Sequence, residues 1–173
     1  ERLSWLLDQL PHPPLSPAAT SAVCAAFDAS LWAGAPVIAP GAAAAIQSLK
    51  RQGIKLAIIS DTSYSTGQTL RRWLDENALL DAFDALTFSD EVGLSKPHPQ
   101  MFLRTLAALG APPHLAAHIG DSPRTDIAGA AAVGMRPIRY GAPDPQHAHI
   151  LHFDDLPKTL GLSSHQEDVE EAQ

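Results

Sequence analysis

The sequence has a single cysteine, Cys24, so it can form neither an internal disulfide nor a zinc site built from several thiolates. A lone thiol fits a reducing compartment, and the expected location is the cytoplasm. No apolar run approaches the ~18 residues of a membrane span, and nothing near residue 1 has the basic start and apolar centre of a secretory signal. Basic charge is also scarce. Twelve Lys and Arg against nineteen Asp and Glu leave a net charge of -7, the wrong sign for a protein that grips nucleic acid by neutralising phosphates. Four of the acids, Glu167, Asp168, Glu170 and Glu171, crowd the last seven residues, so the rest of the chain is only mildly acidic. The only methionines are Met101 and Met135 and the first residue is Glu1, so processing or further sequence ahead of Glu1 is expected. Proline is missing between Pro40 and Pro97, and regular structure is expected to concentrate there.

What is present is enough for one ordinary domain: 173 residues, 45% of them hydrophobic. Leu3, Trp5, Leu6, Leu7 and Leu10 predict a short helix before Pro11. A second helix is expected from Ser16-Pro17 to about Trp32, with Ala22, Val23, Ala26 and Phe27 as its buried stripe. Ala42 to Gln52 reads as a helix stopped by Gly53. After it, Ile54 to Ile59 is an apolar run of the kind found in a strand covered on both faces. The alternation continues through helix 68–76, strand 85–88, helix 99–109, strand 116–119, helix 127–133 and strand 136–140. That repetition predicts an α/β fold, a Rossmann-like parallel sheet with helices on both faces.

In such a sheet, ligands collect beyond the carboxyl ends of the strands. One end carries Ser60-Asp61-Thr62-Ser63, whose hydroxyls and amides suit either an anionic oxygen or the capping of the next helix. Another carries Gly120-Asp121-Ser122-Pro123-Arg124-Thr125-Asp126. Its two carboxylates could hold a hard cation through oxygen, or cap a helix start. Between them lies Lys96-Pro97, a charge for a phosphate or simply a solvated lysine. Other groups read as structural. Cys24 and the tryptophans are expected to pack, Arg71-Arg72 to form a solvated helix face, and His147, His149 and His152 lack regular metal-ligand spacing.

Taken together, Ile58-Ile59-Ser60, Lys96-Pro97 and Gly120-Asp121 with Asp126 resemble, in order and spacing, the second, third and fourth motifs of the haloacid dehalogenase-like hydrolases. Ala128-Gly129-Ala130 followed by Gly134-Met135 extends the resemblance, as does Pro40-Gly41. It implies a core over residues 36–160 and a partial helical cap over 1–35; the acidic composition of 161–173 reads as a disordered tail. It also implies roles. Ser60, with Asp61 and Thr62, would bind the transferring phosphoryl oxygens, and Lys96 would neutralise phosphate and nucleophile. Asp121 would ligate Mg2+, with Asp126 a second ligand or a carboxylate bound through water. The two-Asp motif favours a Mg2+-dependent phosphatase of a small phosphorylated substrate over a metal-free 2-haloacid dehalogenase. A non-catalytic relative that binds phosphate or a partner is the further alternative.

The resemblance lacks its first motif. The family's nucleophile stands in an Asp-any-Asp sequence on a strand at the middle of the sheet, and no such sequence precedes Ser60. Losing four or five buried side chains of that strand would forfeit about 6–15 kcal/mol, comparable with the ~5–15 kcal/mol net stability of a domain. The expectation is an N-terminally truncated hydrolase whose gap is filled by another segment, or by a second copy in a strand-exchanged homodimer.

Overall fold

A computed structural model of the protein describes residues 15–34, 36–62 and 65–162. The helix expected near Leu3, Ser63 and residues 163–173 of the expected tail lie outside the described residues, while Leu162, placed in that tail by the sequence, packs against the core. Helix α1 (Pro17–Ala33) begins where Ser16 Oγ accepts the Ala19 N–H at 3.2 Å, with Pro17 in its first turn. Its expected stripe is not buried: Ala22 and Ala26 are exposed and Phe27 is 41% exposed. The apolar spacing is that of a packed helix, but none of the described side chains of α1 belongs to either cluster of buried residues in the core. Cys24 is half-buried.

Helix α2 (Ala42–Arg51) carries Lys50 and Arg51 in its last turn, where the carbonyl ends favour cations. Lys50 reaches Asp84 at 2.9 Å, and Asp84 in turn accepts the Leu56 N–H at 2.8 Å. That anchoring precedes strand β1 (Ala57–Ser60), which is shorter than the apolar run from Ile54 suggests. β1 pairs in parallel with β2 (Ala85–Phe88), Ala57 opposite Ala85. Helix α3 (Gly67–Glu76) connects them, and the short α4 (Ser89–Val92) follows β2. Helix α5 (Pro99–Leu109) leads to β3 (Ala117–Gly120). A π-helical turn over Pro123–Ile127 then runs into α6 (Ala128–Ala132), so the helix expected from residue 127 begins one turn early. β4 (Arg136–Tyr140), β5 (Ala148–Ile150) and α7 (Leu156–Leu160) complete the order.

All observed pairings are parallel, as expected, but the sheet is in two parts: β1-β2 and β3-β4-β5. Helices cover both faces. On one face Ala45 and Leu49 of α2 pack with Ile138, Ile150 and Leu156, joined by Leu56 before β1 and Ala117 and Ile119 from β3. On the other, Met101, Phe102 and Leu106 of α5 pack with Ala130 and Met135, joined by Ile59. Each helical layer therefore spans both parts of the sheet. Between the parts lies a cavity of about 720 Å³, walled by β1 on one side and β3 on the other.

Arg71 is not the solvated residue expected: it stacks over the Phe88 ring at 4.7 Å and forms a two-pronged ion pair with Glu91. Arg72 pairs with Glu76 one turn on, at 2.9 Å. Phe102 is fully buried, and a Cβ on Gly129 would collide with its ring. Phe102→Ala should therefore cost about 3–5 kcal/mol in urea unfolding followed by circular dichroism.

Candidate functional site

Ser60 is the last residue of β1, Lys96 lies on the turn before α5, and Asp121 is the first residue past β3. Lys96 connects the two parts of the sheet. Its backbone N–H donates to Asp61 Oδ1 at 2.9 Å, just past β1, and its Nζ reaches Asp126 Oδ1 at 2.6 Å, in the turn past β3. The Lys96–Pro97 peptide is cis. With 12% of the Lys96 side chain and 6% of Asp126 exposed, this is a largely desolvated ion pair. Removing one partner of such a pair is costly because it strands the other charge.

Asp126 is held from three directions. Besides Lys96, its Oδ1 lies 3.2 Å from His118 Nε2, and its Oδ2 accepts the Ser122 N–H at 3.0 Å. Gly120 makes room for this: a Cβ there would overlap the Asp126 carboxyl. Burial, the largest single influence, pushes the carboxyl pKa up. The hydrogen bonds from His118 and Lys96, the lysine charge and the Ser122 amide together outweigh it and hold the group below the usual carboxylate range. His118 had no expected role in the site. Its signal was a single titratable side chain inside an apolar strand, and period-two alternation sends its ring against the edge of Phe102, at 5.1 Å between centroids.

Thr62, expected to bind substrate, turns toward β2 instead. It is buried, its N–H donates to Ser89 Oγ at 3.0 Å, and its hydroxyl lies 3.1 Å from both Ser89 Oγ and Asp90 Oδ1. Asp90 also accepts the Gly67 N–H at 3.0 Å, so this network braces the start of α3. Asp61 spends one carboxylate oxygen on the Lys96 amide. Among the described residues no three His, Cys, Asp or Glu side chains gather as a metal site, and His147 is engaged with Asp144 at 3.3 Å. Asp121 is exposed, beside a second carboxylate whose oxygens already serve Lys96, His118 and Ser122. One or two carboxylates with several waters is a donor set that suits Mg2+, and Asp121 with Asp126 meets it.

The sequence model of haloacid dehalogenase-like hydrolases matches residues 3–134. The chain belongs to this family. It is 33% identical over 124 residues to the Bos taurus haloacid dehalogenase-like hydrolase domain-containing protein 3, covering 72% of this chain and 47% of that protein. It is 33% identical over 121 residues to a phosphoserine phosphatase of Thermus thermophilus, covering 68% and 47%. Its fold matches the crystal structure of a HAD phosphatase from Thermococcus onnurineus with a TM-score of 0.64 at 32% identity, over 72% of this chain and 58% of that one. The chain spans about half the length of the curated relatives it matches. Among the described residues no helix is long and apolar enough to cross a membrane.

Because the folded-state pKa of Asp126 is lowered, its contribution is complete at neutral pH and is lost as pH falls through and below the usual carboxylate range. At pH 7 Asp126→Asn should lose about 3 kcal/mol. The gap to the unaltered protein should narrow as urea midpoints are measured toward pH 3.

Proposed function

We propose that this chain is part of a Mg2+-dependent phosphomonoester hydrolase acting on a small phosphorylated substrate, whose nucleophilic aspartate is supplied from outside these 173 residues. The carrying observation is the placement of Lys96. It is fixed by Asp61 past β1 and by Asp126 past β3, at the same strand ends that present Ser60 and Asp121. A phosphoryl group in transfer spreads negative charge over its oxygens, and a fixed ammonium with oriented donors stabilises that charge without reorganising. In this reading Ser60 and the Asp61 amide orient one phosphoryl oxygen, while Lys96 neutralises charge on the phosphate and the attacking carboxylate. Asp121 would hold Mg2+ directly and Asp126 through water, the cation supplying further charge neutralisation. Residues 1–35, with the exposed Phe27 on α1, would belong to a cap that selects substrate.

Two features support a phosphatase over the metal-free alternative. Asp121 and Asp126 form a hard-oxygen pair that a halide leaving group does not require, and relatives matched over 68% and 59% of this chain are named as a phosphoserine phosphatase and a glyceraldehyde 3-phosphate phosphatase. The full-length product of the gene should hydrolyse p-nitrophenyl phosphate with Mg2+ and stop with EDTA. Asp121→Asn should lower kcat/KM by about 100-fold or more. Halide release from 2-chloropropionate that is indifferent to EDTA would select the dehalogenase reading, and no turnover of either compound the non-catalytic one.

A further inference from the structure

Asp61 and Thr62, the two residues that follow Ser60, are held by different elements. The Asp61 carboxylate accepts the Lys96 N–H at 2.9 Å, from the turn before α5. The Thr62 N–H donates to Ser89 Oγ at 3.0 Å, just past β2. Each residue has only two soft backbone dihedrals, so fixing the Asp61 side chain and the next amide leaves the Asp61 N–H little freedom to turn. One side chain closes this arrangement from behind. Asp90 lies in the first turn of α4, where a carboxylate ordinarily serves its own helix, but both its oxygens go to other elements. Oδ1 accepts the Thr62 hydroxyl at 3.1 Å and Oδ2 accepts the Gly67 N–H at 3.0 Å, so one carboxylate ties the start of α3 to the residue after Asp61. Hydrogen bonds to an ionised acceptor are stronger than neutral ones. The Thr62 hydroxyl also lies 3.1 Å from Ser89 Oγ, and the Thr62 carbonyl accepts the Ser65 N–H at 2.9 Å. The tie is covered: Ser89 is fully buried, Thr62 is nearly so, and a Cβ on Gly67 would overlap Phe88 and Glu91.

We propose that Asp90 is a positioning residue for phosphoryl transfer: through Thr62 it holds the Asp61 N–H in the direction in which that group meets a phosphoryl oxygen. This rests on the phosphatase reading and extends it from the groups that touch the substrate to one that does not. A carboxylate repels a phosphoryl group, and both Asp90 oxygens are already engaged, so the effect of Asp90 passes through what it holds. Ser89 by itself ties only the Thr62 side of the loop; Asp90 ties Thr62 and Gly67 together. The consequence falls on the transition state more than on substrate binding. A donor aimed in advance stabilises charge on the transferring group without reorganising, and a donor free to turn loses that advantage.

The test uses the full-length gene product, unaltered and as Asp90→Ala, Thr62→Val and Thr62→Ser. With p-nitrophenyl phosphate and Mg2+, Asp90→Ala and Thr62→Val should each lower kcat about 10-fold with KM within about 2-fold, short of the roughly 100- to 1,000-fold loss of a whole oxyanion donor. Thr62→Ser keeps the hydroxyl and should recover most of that loss. Rates are read where circular dichroism shows each protein folded, so a loss of stability alone does not move them. Thr62→Val keeps the side-chain volume and the amide bond to Ser89, and it carries the test if Asp90→Ala unfolds. Backbone nitrogen relaxation without substrate should show the Asp61 amide more mobile in Thr62→Val than in the unaltered protein. Unchanged kcat in the folded variants, an equal loss in Thr62→Ser, or an Asp61 amide as rigid in Thr62→Val as before would overturn the proposal and leave the phosphatase reading standing. No turnover by the unaltered protein would overturn both.

Discussion

Lys96 is the residue on which the rest of the arrangement depends. Its amide is fixed to the turn after β1 and its ammonium to the turn after β3, so one residue spans the break in the sheet at the carboxyl ends of its strands. The helical layers span it elsewhere, through α2 on one face and α5 on the other. These contacts differ in kind. The helices supply nondirectional apolar burial, which tolerates small shifts, whereas an ion pair of 2.6 Å in a desolvated setting fixes a distance. The relative position of the two strand ends is therefore set by electrostatics, and the cohesion of the halves by packing.

That division explains the crowding at Asp126. A buried carboxylate must be compensated, and this one is compensated by an ammonium, an imidazole and a peptide amide at once. The surplus also fixes the loop: the Asp126 carboxyl packs so closely over Gly120 that a side chain there would not fit. Asp121 is then presented outward at the first position after the strand. An inward carboxylate that organises the turn and an outward one that remains available are two uses of the same residue type, five positions apart, and burial separates them.

Much of this was legible in the sequence because it follows from local rules. The apolar runs and their Gly and Pro boundaries located β2, β4 and α5 to the residue, and most other elements to within a few. The site was legible as an ordered set of polar residues after strands. Partner choice was not. Thr62 shares a loop with Ser60 and looks equivalent in sequence, yet alternation turns it to β2, where Ser89 accepts its amide and Asp90 its hydroxyl. His118 was invisible as a site residue because its role exists only through Asp126, eight residues away across a turn. Arg71 looked solvated because nothing local announces that Phe88 and Glu91 come beside it. The stripe on α1 failed for the opposite reason: its pattern is that of a buried helix, but burial needs a second surface.

The same logic separates what is complete here from what is not. The two buried charges of the site are partnered within the chain: Lys96 has Asp126, and Asp126 has His118 and the Ser122 amide. The backbone between β1 and β3 does not show that closure, since Ala57, Ile59, Ala117 and Ile119 face a common cavity. Charges are satisfied by neighbours close in space whose loops are already held. A parallel strand can be satisfied only by another strand, which in a parallel sheet comes from far along the chain. The electrostatic framework at the strand ends is therefore assembled by residues 61–126 alone.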